Sequence, residues 1–193
     1  MLSESTLNGL IEKHHDIILT DDFAPVENLI APVVRTRAGD LGELNLRFAR
    51  RYAGENDTER AIQHCRAAIT IHPQWPEAYE LLAELLFKQK EVDGGLEALV
   101  NAASGHKQPG AAWYNAGRAA FDAGRADMAL ECWKNCVAVQ PDHVAGWYNL
   151  GVLFGSRNDL KNAVIAWQNA LAHKPDHEDS LYNLVTAYVM MQD

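Results

Sequence analysis

The spacing that comes nearest to a metal site in this sequence belongs to two cysteines. Cys132 and Cys136 are four residues apart, so a helix would place both thiols on one face, where two thiolates can bind a metal ion. Further ligands are missing, because no second pair lies at a matching distance and the adjacent His14 and His15 would point in different directions from a helix. We therefore predict no metal site and interpret the cysteines as core residues with free thiols.

Loops that bind phosphates or carry a nucleophile are also missing from the sequence. None of the patterns G-x-x-x-x-G-K-[ST], G-x-S-x-G and G-x-G-x-x-G occurs in the 193 residues. Catalysis therefore has no candidate residues. The sequence predicts a protein that is not an enzyme and that needs no cofactor.

The composition limits the partners and the compartment. Seventeen Lys and Arg against 26 Asp and Glu give a net charge of -9, the wrong sign for a surface that neutralises phosphates, so nucleic acid is not an expected partner. Three cysteines are too few for a disulfide scaffold and fit a reducing compartment. No run approaches the ~18 apolar residues of a membrane span, and residues 1–16 lack the pattern of a signal peptide. We expect a cytoplasmic protein with no membrane span in this chain.

The sequence elements that would position a site recur along the chain at a constant interval. This interval is the one that separates Trp113 from Trp147. The other pairs of positions that match at this interval are Gly117 and Gly151, Ala129 and Ala163, Trp133 and Trp167, and Pro141 and Pro175. Extended towards the N-terminus, the same frame places Tyr79 at the tryptophan position of one unit and Asn45 at that of another. The sequence therefore predicts four units, 42–75, 76–109, 110–143 and 144–177.

The repeated pattern is W-x2-L-G-x2-Y, then A-x3-aromatic-x2-A, then P, and it resembles the tetratricopeptide repeat family. The residues that match it best are Trp147, Leu150, Gly151, Phe154, Ala163, Trp167, Ala170 and Pro175. The resemblance implies an all-α solenoid, a right-handed superhelix of antiparallel helix pairs. One unit departs from the pattern, because Lys107 stands where the repeat-ending proline is expected and Pro109 follows it. We expect a locally altered turn there.

The ends of the units are predicted from their turn residues. Pro-Asp at 141–142 and at 175–176 would end one helix, and the Asp would cap the next. Residues 178–193 would cover the last unit as a capping helix, with Leu181, Leu184, Val185 and Tyr188 at its core positions. A truncated fifth repeat is the alternative interpretation of 178–193.

Residues 1–41 do not fit the repeat. Leu7, Leu10 and Ile11 share one helical face, and Pro25 and Pro32 interrupt any long helix. The segment Leu19-Thr20-Asp21-Asp22-Phe23-Ala24-Pro25-Val26-Glu27-Asn28-Leu29 resembles the C-terminal end of spermidine synthase-like proteins. That resemblance implies the tail or a descendant of a longer enzyme and carries no activity to this chain. The alternative is that the stretch caps the repeat array.

The candidate binding residues are those that the packing pattern leaves free on the first helix of each unit, the face that lines the concave groove in this family. They are Arg47, Arg50, Glu80, Glu84, Tyr114, Asn115, Arg118, Tyr148, Asn149, Tyr182 and Asn183. A Tyr-Asn pair recurs three times in register. Each amide can donate and accept a hydrogen bond, which suits the backbone of an extended peptide. The alternative is that the asparagines bond to neighbouring backbone groups of the chain itself.

The function that these patterns favour is a non-enzymatic scaffold that binds a protein or peptide segment of unidentified sequence in the groove. The lysines with which chaperone-binding members of the family clamp a C-terminal carboxylate are missing, so chaperone tails are disfavoured. The alternative function is an accessory or regulatory domain of a spermidine synthase-like enzyme whose catalytic part lies outside this chain. Homo-oligomerisation is left open by the sequence.

Overall fold

The structure is a computed structural model that describes residues 41–191. Within this range the chain forms helices joined by turns, with no β-strand, which confirms the predicted all-α class. The helices are α1 (41–54), α2 (Thr58–Ile71), α3 (Pro76–Lys88), α4 (Val92–Gly105), α5 (Pro109–Asp122), α6 (Ala126–Val139), α7 (Val144–Ser156), α8 (Leu160–His173) and α9 (Glu178–Met190). They fall into two compact units, divided between Pro73 and Gln74.

The first compact unit contains α1 and α2, and a polar pair lies in its core. Asn45 occupies the position that tryptophan holds in later repeats, and its Oδ1 lies 2.9 Å from Nδ1 of the buried His64. The Asn45 amide also donates to the Leu41 carbonyl at 2.9 Å, so the oxygen is left to accept from the imidazole. The His64 ring stacks on Phe48 and Tyr52, with centroids 4.9 and 5.4 Å away. The imidazole is therefore held by one hydrogen bond and two stacked rings in the core of this unit.

The second compact unit contains α3 to α9. Its helices pack as α3 on α4, α5 on α6 and α7 on α8, and each second helix also contacts the first helix of the following pair: α4 with α5, α6 with α7, and α8 with α9. Trp133 on α6 and Trp167 on α8 are buried in the core, each beside an alanine-rich face. Full burial of a large apolar side chain stabilises the fold by about 1.5–3 kcal/mol, so these clusters dominate the packing energy.

Glycines lie where an aromatic ring of the other helix in a pair leaves no room for a side chain. A Cβ built at Gly117 would lie 2.5 Å from the indole of Trp133, and one built at Gly151 would overlap the indole of Trp167. In the preceding pair the arrangement is reversed, because Gly95 is on the second helix and lies under Phe87 of the first, 2.6 Å from a built Cβ. At these positions the absence of a side chain makes room for the aromatic ring of the other helix.

Each of the four described pairs turns from its first to its second helix through one residue in the left-handed conformation. These residues are Asn56, Lys90, Gly124 and Asn158, with φ of 62°, 66°, 73° and 59°. At Lys90 the turn is a Schellman motif, in which Lys90 N–H donates to the Phe87 carbonyl and Glu91 N–H to the Leu86 carbonyl, both at 2.9 Å. Glycine and asparagine adopt this conformation at low cost, whereas lysine does not.

The connections between pairs correct one sequence prediction. Asp142 and Asp176 do not cap the helices that follow them, because His143 and His177, one residue later, are the N-caps. The shift has a geometric reason: the last residue of each four-residue connection is the one whose side chain reaches the free amides of the next helix. The altered turn predicted near Lys107 is present, since only residues 106–108 connect α4 to α5 and Pro109 already begins the helix.

The terminal helix α9 differs from the prediction for a cap. Leu184 packs partly buried against the core around Trp167, but Leu181, Val185 and Tyr188 are exposed. Only Ser180 and Ala187 of this helix are buried. The apolar positions match the core pattern of a first helix, but the described structure holds no second helix against them.

Two sequence predictions lie outside the described residues: the helix around Leu10 and the segment 19–29 with its resemblance to spermidine synthase-like proteins. The division into an N-terminal segment, four repeat units and a capping helix remains a proposal. Within residues 41–191, no helix is long and apolar enough to cross a membrane.

Candidate functional site

The three Tyr-Asn pairs lie at the same place on α5, α7 and α9, in the second turn of each helix. We call the six residues the Tyr-Asn ladder: Tyr114, Asn115, Tyr148, Asn149, Tyr182 and Asn183. Asn115 is exposed, and Asn149 and Asn183 are half-buried. Within the described part of the chain, these three amides make no hydrogen bond. The alternative in which the asparagines bond to neighbouring backbone therefore has no support in residues 41–191.

Two of the ladder tyrosines are held against a histidine of the following connection. The rings of Tyr114 and His143 have centroids 4.8 Å apart, and those of Tyr148 and His177 are 5.2 Å apart. Tyr182 is 73% exposed, and the described residues place no ring against it.

The hydrogen bonds at the helix caps fix the tautomer of both histidines. Nδ1 of His143 accepts from Gly146 N–H at 3.0 Å, and Nδ1 of His177 accepts from Ser180 N–H at 3.2 Å. An accepting Nδ1 means that the neutral imidazole carries its proton on Nε2, which is a donor. The ladder is therefore flanked by two N–H groups as well as by amides.

The charged candidates of this unit are less uniform. Arg118 and Glu84 are exposed. Glu80 is bonded to the chain itself, because its Oε1 accepts from Nε2 of His106 at 2.8 Å. That contact links α3 to the shortened connection before α5, so Glu80 has a structural role beside any role in binding.

Arg47 and Arg50 belong to the first compact unit. Arg47 pairs with Glu43 one turn earlier, at 3.2 Å between Nε and Oε1, and both side chains are about half exposed. An exposed pair of this kind contributes at most about 1 kcal/mol, so it leaves the guanidinium available to other partners. Arg50 is exposed, and its charge slightly opposes the rise in the Cys65 pKa that burial causes.

The cysteines lie in the cores of the two compact units. All three are free and buried. Burial raises the pKa of Cys132 and of Cys136 to about 11, so both are thiols at neutral pH. No group of three or more potential metal ligands occurs among residues 41–191.

The structure contains an apolar cleft that was not predicted from the sequence. An open apolar cleft of about 350 Å³ lies between α6, α7 and α8. Its lining consists of Lys134, Val137, Ala138, Trp147, Leu150, Phe154, Asn162, Ile165 and Ala166. At ~100° per residue, Trp147 and Phe154 point to the side of α7 opposite to Tyr148 and Asn149. The cleft and the ladder are therefore separate surfaces.

Comparison with known protein families shows to which family the chain belongs. Residues 46–112 and 114–179 each match the family described as Tetratricopeptide repeat, and together these matches cover more than half of the chain. The chain therefore belongs to the tetratricopeptide repeat family, and its fold is an all-α tetratricopeptide-repeat solenoid. Each match is about as long as two repeat units of the length that separates Trp113 from Trp147.

Solved structures with the same fold include three that illustrate its range. The MamA protein has a TM-score of 0.56 at 17% identity, over 78% of this chain and 82% of its own. YrrB, described as a TPR protein with an unusual peptide-binding site, has a TM-score of 0.56 at 16% identity, over 84% and 83%. The first TPR of Spaghetti (RPAP3), bound to the HSP90 peptide SRMEEVD, has a TM-score of 0.51 at 14% identity, over 62% and 95%. At these identities the likeness shows the fold alone.

No match is found among curated protein sequences. The family match begins at residue 46, downstream of the segment 19–29. Neither comparison supports the resemblance of that segment to spermidine synthase-like proteins.

Sequence reasoning missed the histidines that hold the ladder tyrosines. A signal was present, because His143 and His177 are themselves separated by one repeat length. It missed the Asn45–His64 pair for a different reason: the two residues are 19 apart, Asn45 replaces the tryptophan of the repeat pattern, and the pattern specifies no residue at the position of His64. The cleft also escaped prediction, because it forms only where three helices meet.

Proposed function

We propose that this protein is a non-enzymatic scaffold whose Tyr-Asn ladder binds an extended segment of another protein. The observation that carries the proposal is the register of the ladder. Asn115, Asn149 and Asn183 recur on successive first helices, and their amides have no hydrogen-bond partner within residues 41–191. Polar side chains without internal partners at one repeated place are suited to a ligand that is itself periodic.

The chemistry of the ladder suits a polypeptide backbone. Each amide can accept from a peptide N–H and donate to a peptide carbonyl, so a row of them can follow the main chain of an extended segment. The tyrosine rings add flat surfaces for contact. The rings of Tyr114 and Tyr148 already pack against histidines, so they lose less conformational entropy when a ligand binds. Arg118 beside the ladder favours an acidic side chain in the partner.

The comparisons support a binding role of this general kind. YrrB is described as having a peptide-binding site, and the Spaghetti repeat was solved with a bound peptide. The equivalents of the ladder tyrosine in the earlier units are Leu46 and Glu80, so none of the four units offers a lysine at this position. We therefore propose recognition of an internal segment instead of a C-terminal carboxylate. The three free thiols favour a reducing, cytoplasmic location.

A peptide selection tests the proposal. A displayed library of random peptides is selected on the full chain, and the best binder is measured by calorimetry against the wild type and against Asn115→Ala combined with Asn149→Ala. Each lost hydrogen bond weakens binding by about 0.5–1.5 kcal/mol, so we expect the double variant to bind roughly 10–100-fold less tightly.

The matched control is Asn135→Ala, an exposed asparagine on the second helix α6. Its affinity should equal that of the wild type. Circular dichroism should show the same melting temperature for all variants, because the ladder amides support no described contact. Selected peptides that bind the double variant as tightly as the wild type would refute the ladder as the binding surface. An unfolded double variant would show that the amides are structural.

A further inference from the structure

The helix α9 has a continuous apolar face that the described residues leave largely exposed. We call it the α9 stripe, and it consists of Leu181, Tyr182, Val185, Tyr188 and Val189. These side chains are 43–73% exposed, and at ~100° per residue they occupy a sector of about 120°. An apolar sector of this width is typical of a helix face that packs against protein. Gln168 of α8 donates to the Tyr188 hydroxyl at 2.9 Å, which fixes this ring at the edge of the stripe.

The stripe does not allow the close packing that the tryptophans of α6 and α8 make with the first helices in the two preceding pairs. Val185 stands one repeat length after Gly151 and two after Gly117. At both glycines the indole of the second helix leaves no space even for a Cβ. A valine at that place holds an incoming helix farther away, at the roughly 8–10 Å between axes that large side chains allow.

The stripe is instead close to self-complementary. Around Val185 as centre, Tyr182 and Tyr188 lie three residues to either side, and Leu181 and Val189 lie four to either side. When two copies of α9 meet antiparallel about a two-fold axis at Val185, tyrosine meets tyrosine and leucine meets valine. A two-fold interface requires this property, since each patch must fit its own copy.

The charges of α9 select the antiparallel orientation. Glu178 and Asp179 lie in its first turn. A parallel pair would bring four carboxylates together, whereas an antiparallel pair places them at opposite ends and aligns the helix dipoles favourably. We propose that the α9 stripe is the interface of an antiparallel dimer of two copies of this chain, with Val185 on the two-fold axis.

The small area of the α9 stripe predicts a weak dimer. From Leu181 to Val189 the stripe is about 12 Å long, so it buries less than the ~800 Å² per partner of a standard interface. We expect a dissociation constant of about 1–50 μM. Because each copy carries a net charge of -9, added salt should tighten the dimer by screening the repulsion.

The test is sedimentation velocity on the full chain between about 1 and 200 μM, a range chosen around the expected dissociation constant. Wild type should pass from monomer to dimer. Val185→Glu and Val185→Lys should each weaken association at least ~100-fold, because each buries two like charges at the axis. Tyr182 belongs to both the stripe and the Tyr-Asn ladder, whereas Val185 belongs to the stripe alone and Asn115 and Asn149 to the ladder alone. Loss of the dimer and loss of peptide binding are therefore tested by different variants. Ile165→Glu is the control, an exposed apolar residue of α8 outside the stripe, and it should associate like the wild type.

An equimolar mixture of the two charge variants is the decisive measurement. Glutamate should face lysine across the axis, and a heterodimer should form that neither variant forms alone. Circular dichroism should show unchanged helix content in each variant. A wild type that stays monomeric at about 200 μM would overturn the proposal, as would a Val185→Glu dimer of wild-type strength. A mixture that remains monomeric would overturn the axis at Val185.

Discussion

Replacing Gly151 of α7 by alanine adds a methyl group where the indole of Trp167 on α8 already fills the space. A Cβ at this position lies 2.5 Å from Cδ1 and 2.6 Å from Cε2 of Trp167, whereas carbon atoms in contact are normally about 3.5–4.0 Å apart. Trp167 is buried in a packed cluster and has little room to move. Overpacking of this kind costs about 1–3 kcal/mol. Alanine in a helix recovers up to ~1 kcal/mol over glycine, so we expect the free energy of unfolding to fall by roughly 0.5–2 kcal/mol.

The matched control is Gly54→Ala at the end of α1, where a Cβ would have no atom within 4 Å. This variant keeps the gain in helix propensity without the overlap, and its stability should equal or exceed that of the wild type by up to ~1 kcal/mol. Urea unfolding followed by circular dichroism gives both free energies. The difference between the two variants measures the packing cost.

A second substitution shows that Trp167 is the cause. Trp167→Val removes the three indole atoms that a Cβ at Gly151 would meet, Nε1, Cδ1 and Cε2, so Gly151→Ala should cost less in this background than in the wild type. Equal stability of Gly151→Ala and Gly54→Ala would refute the close-packing argument. A Gly151→Ala cost that does not change in the Trp167→Val background would refute the assignment to the indole.

Two further predictions concern the turns and the thiols. Lys90→Gly should raise the free energy of unfolding by about 0.5–1 kcal/mol, because lysine is strained at φ 66°. Gly124→Lys should lower it by a similar amount. Urea unfolding measures both changes, and a less stable Lys90→Gly with a more stable Gly124→Lys would contradict the reasoning. Cys65, Cys132 and Cys136 should not react with a thiol reagent at pH 8 until the protein is unfolded, since burial raises their pKa values to about 12, 11 and 11. Rapid reaction of the native protein would show that the thiols are accessible. The unfolded thiols ionise near pH 9.0 and the native ones do not, so the free energy of unfolding should be unaffected by thiol ionisation below pH 9 and should fall as the pH rises towards 11.

The fold could be predicted because one packing pattern is repeated four times. Tryptophans that recur at a fixed interval, with glycine and alanine at fixed offsets from them, determine helix pairs without any knowledge of distant contacts. Where residues interact outside the pattern, prediction failed. His143 displaces Asp142 as the cap because the length of the connection decides which side chain reaches the helix. His64 joins Asn45 only once two helices are packed.

The positions of the ladder residues on their helices could be predicted from the sequence, but the side chains that contact them could not. Helical periodicity placed Asn115 and Asn149 off the packing face, and the described structure leaves their amides without partners. Periodicity also assigned Val185 to a core, because a pattern of apolar residues indicates a face that packs but does not say against what. Binding by the ladder remains a prediction, since the choice of ligand depends on side chains that packing does not constrain.

The reversal of glycine and aromatic between neighbouring pairs means that these repeats are not exchangeable modules. In one pair Phe87 of the first helix lies on Gly95, and in the next Trp133 of the second helix lies on Gly117. A shuffled gene that joined α3 directly to α6 would place Ala83 where Gly117 lies under Trp133, so a methyl group would overlap the indole. The reciprocal fusion of α5 to α4 would leave a void, because Leu99 stands where Trp133 fills the space beside Gly117. Duplication or recombination within this array must therefore copy whole pairs, and any designed shortening of the chain has to cut between pairs and not within them.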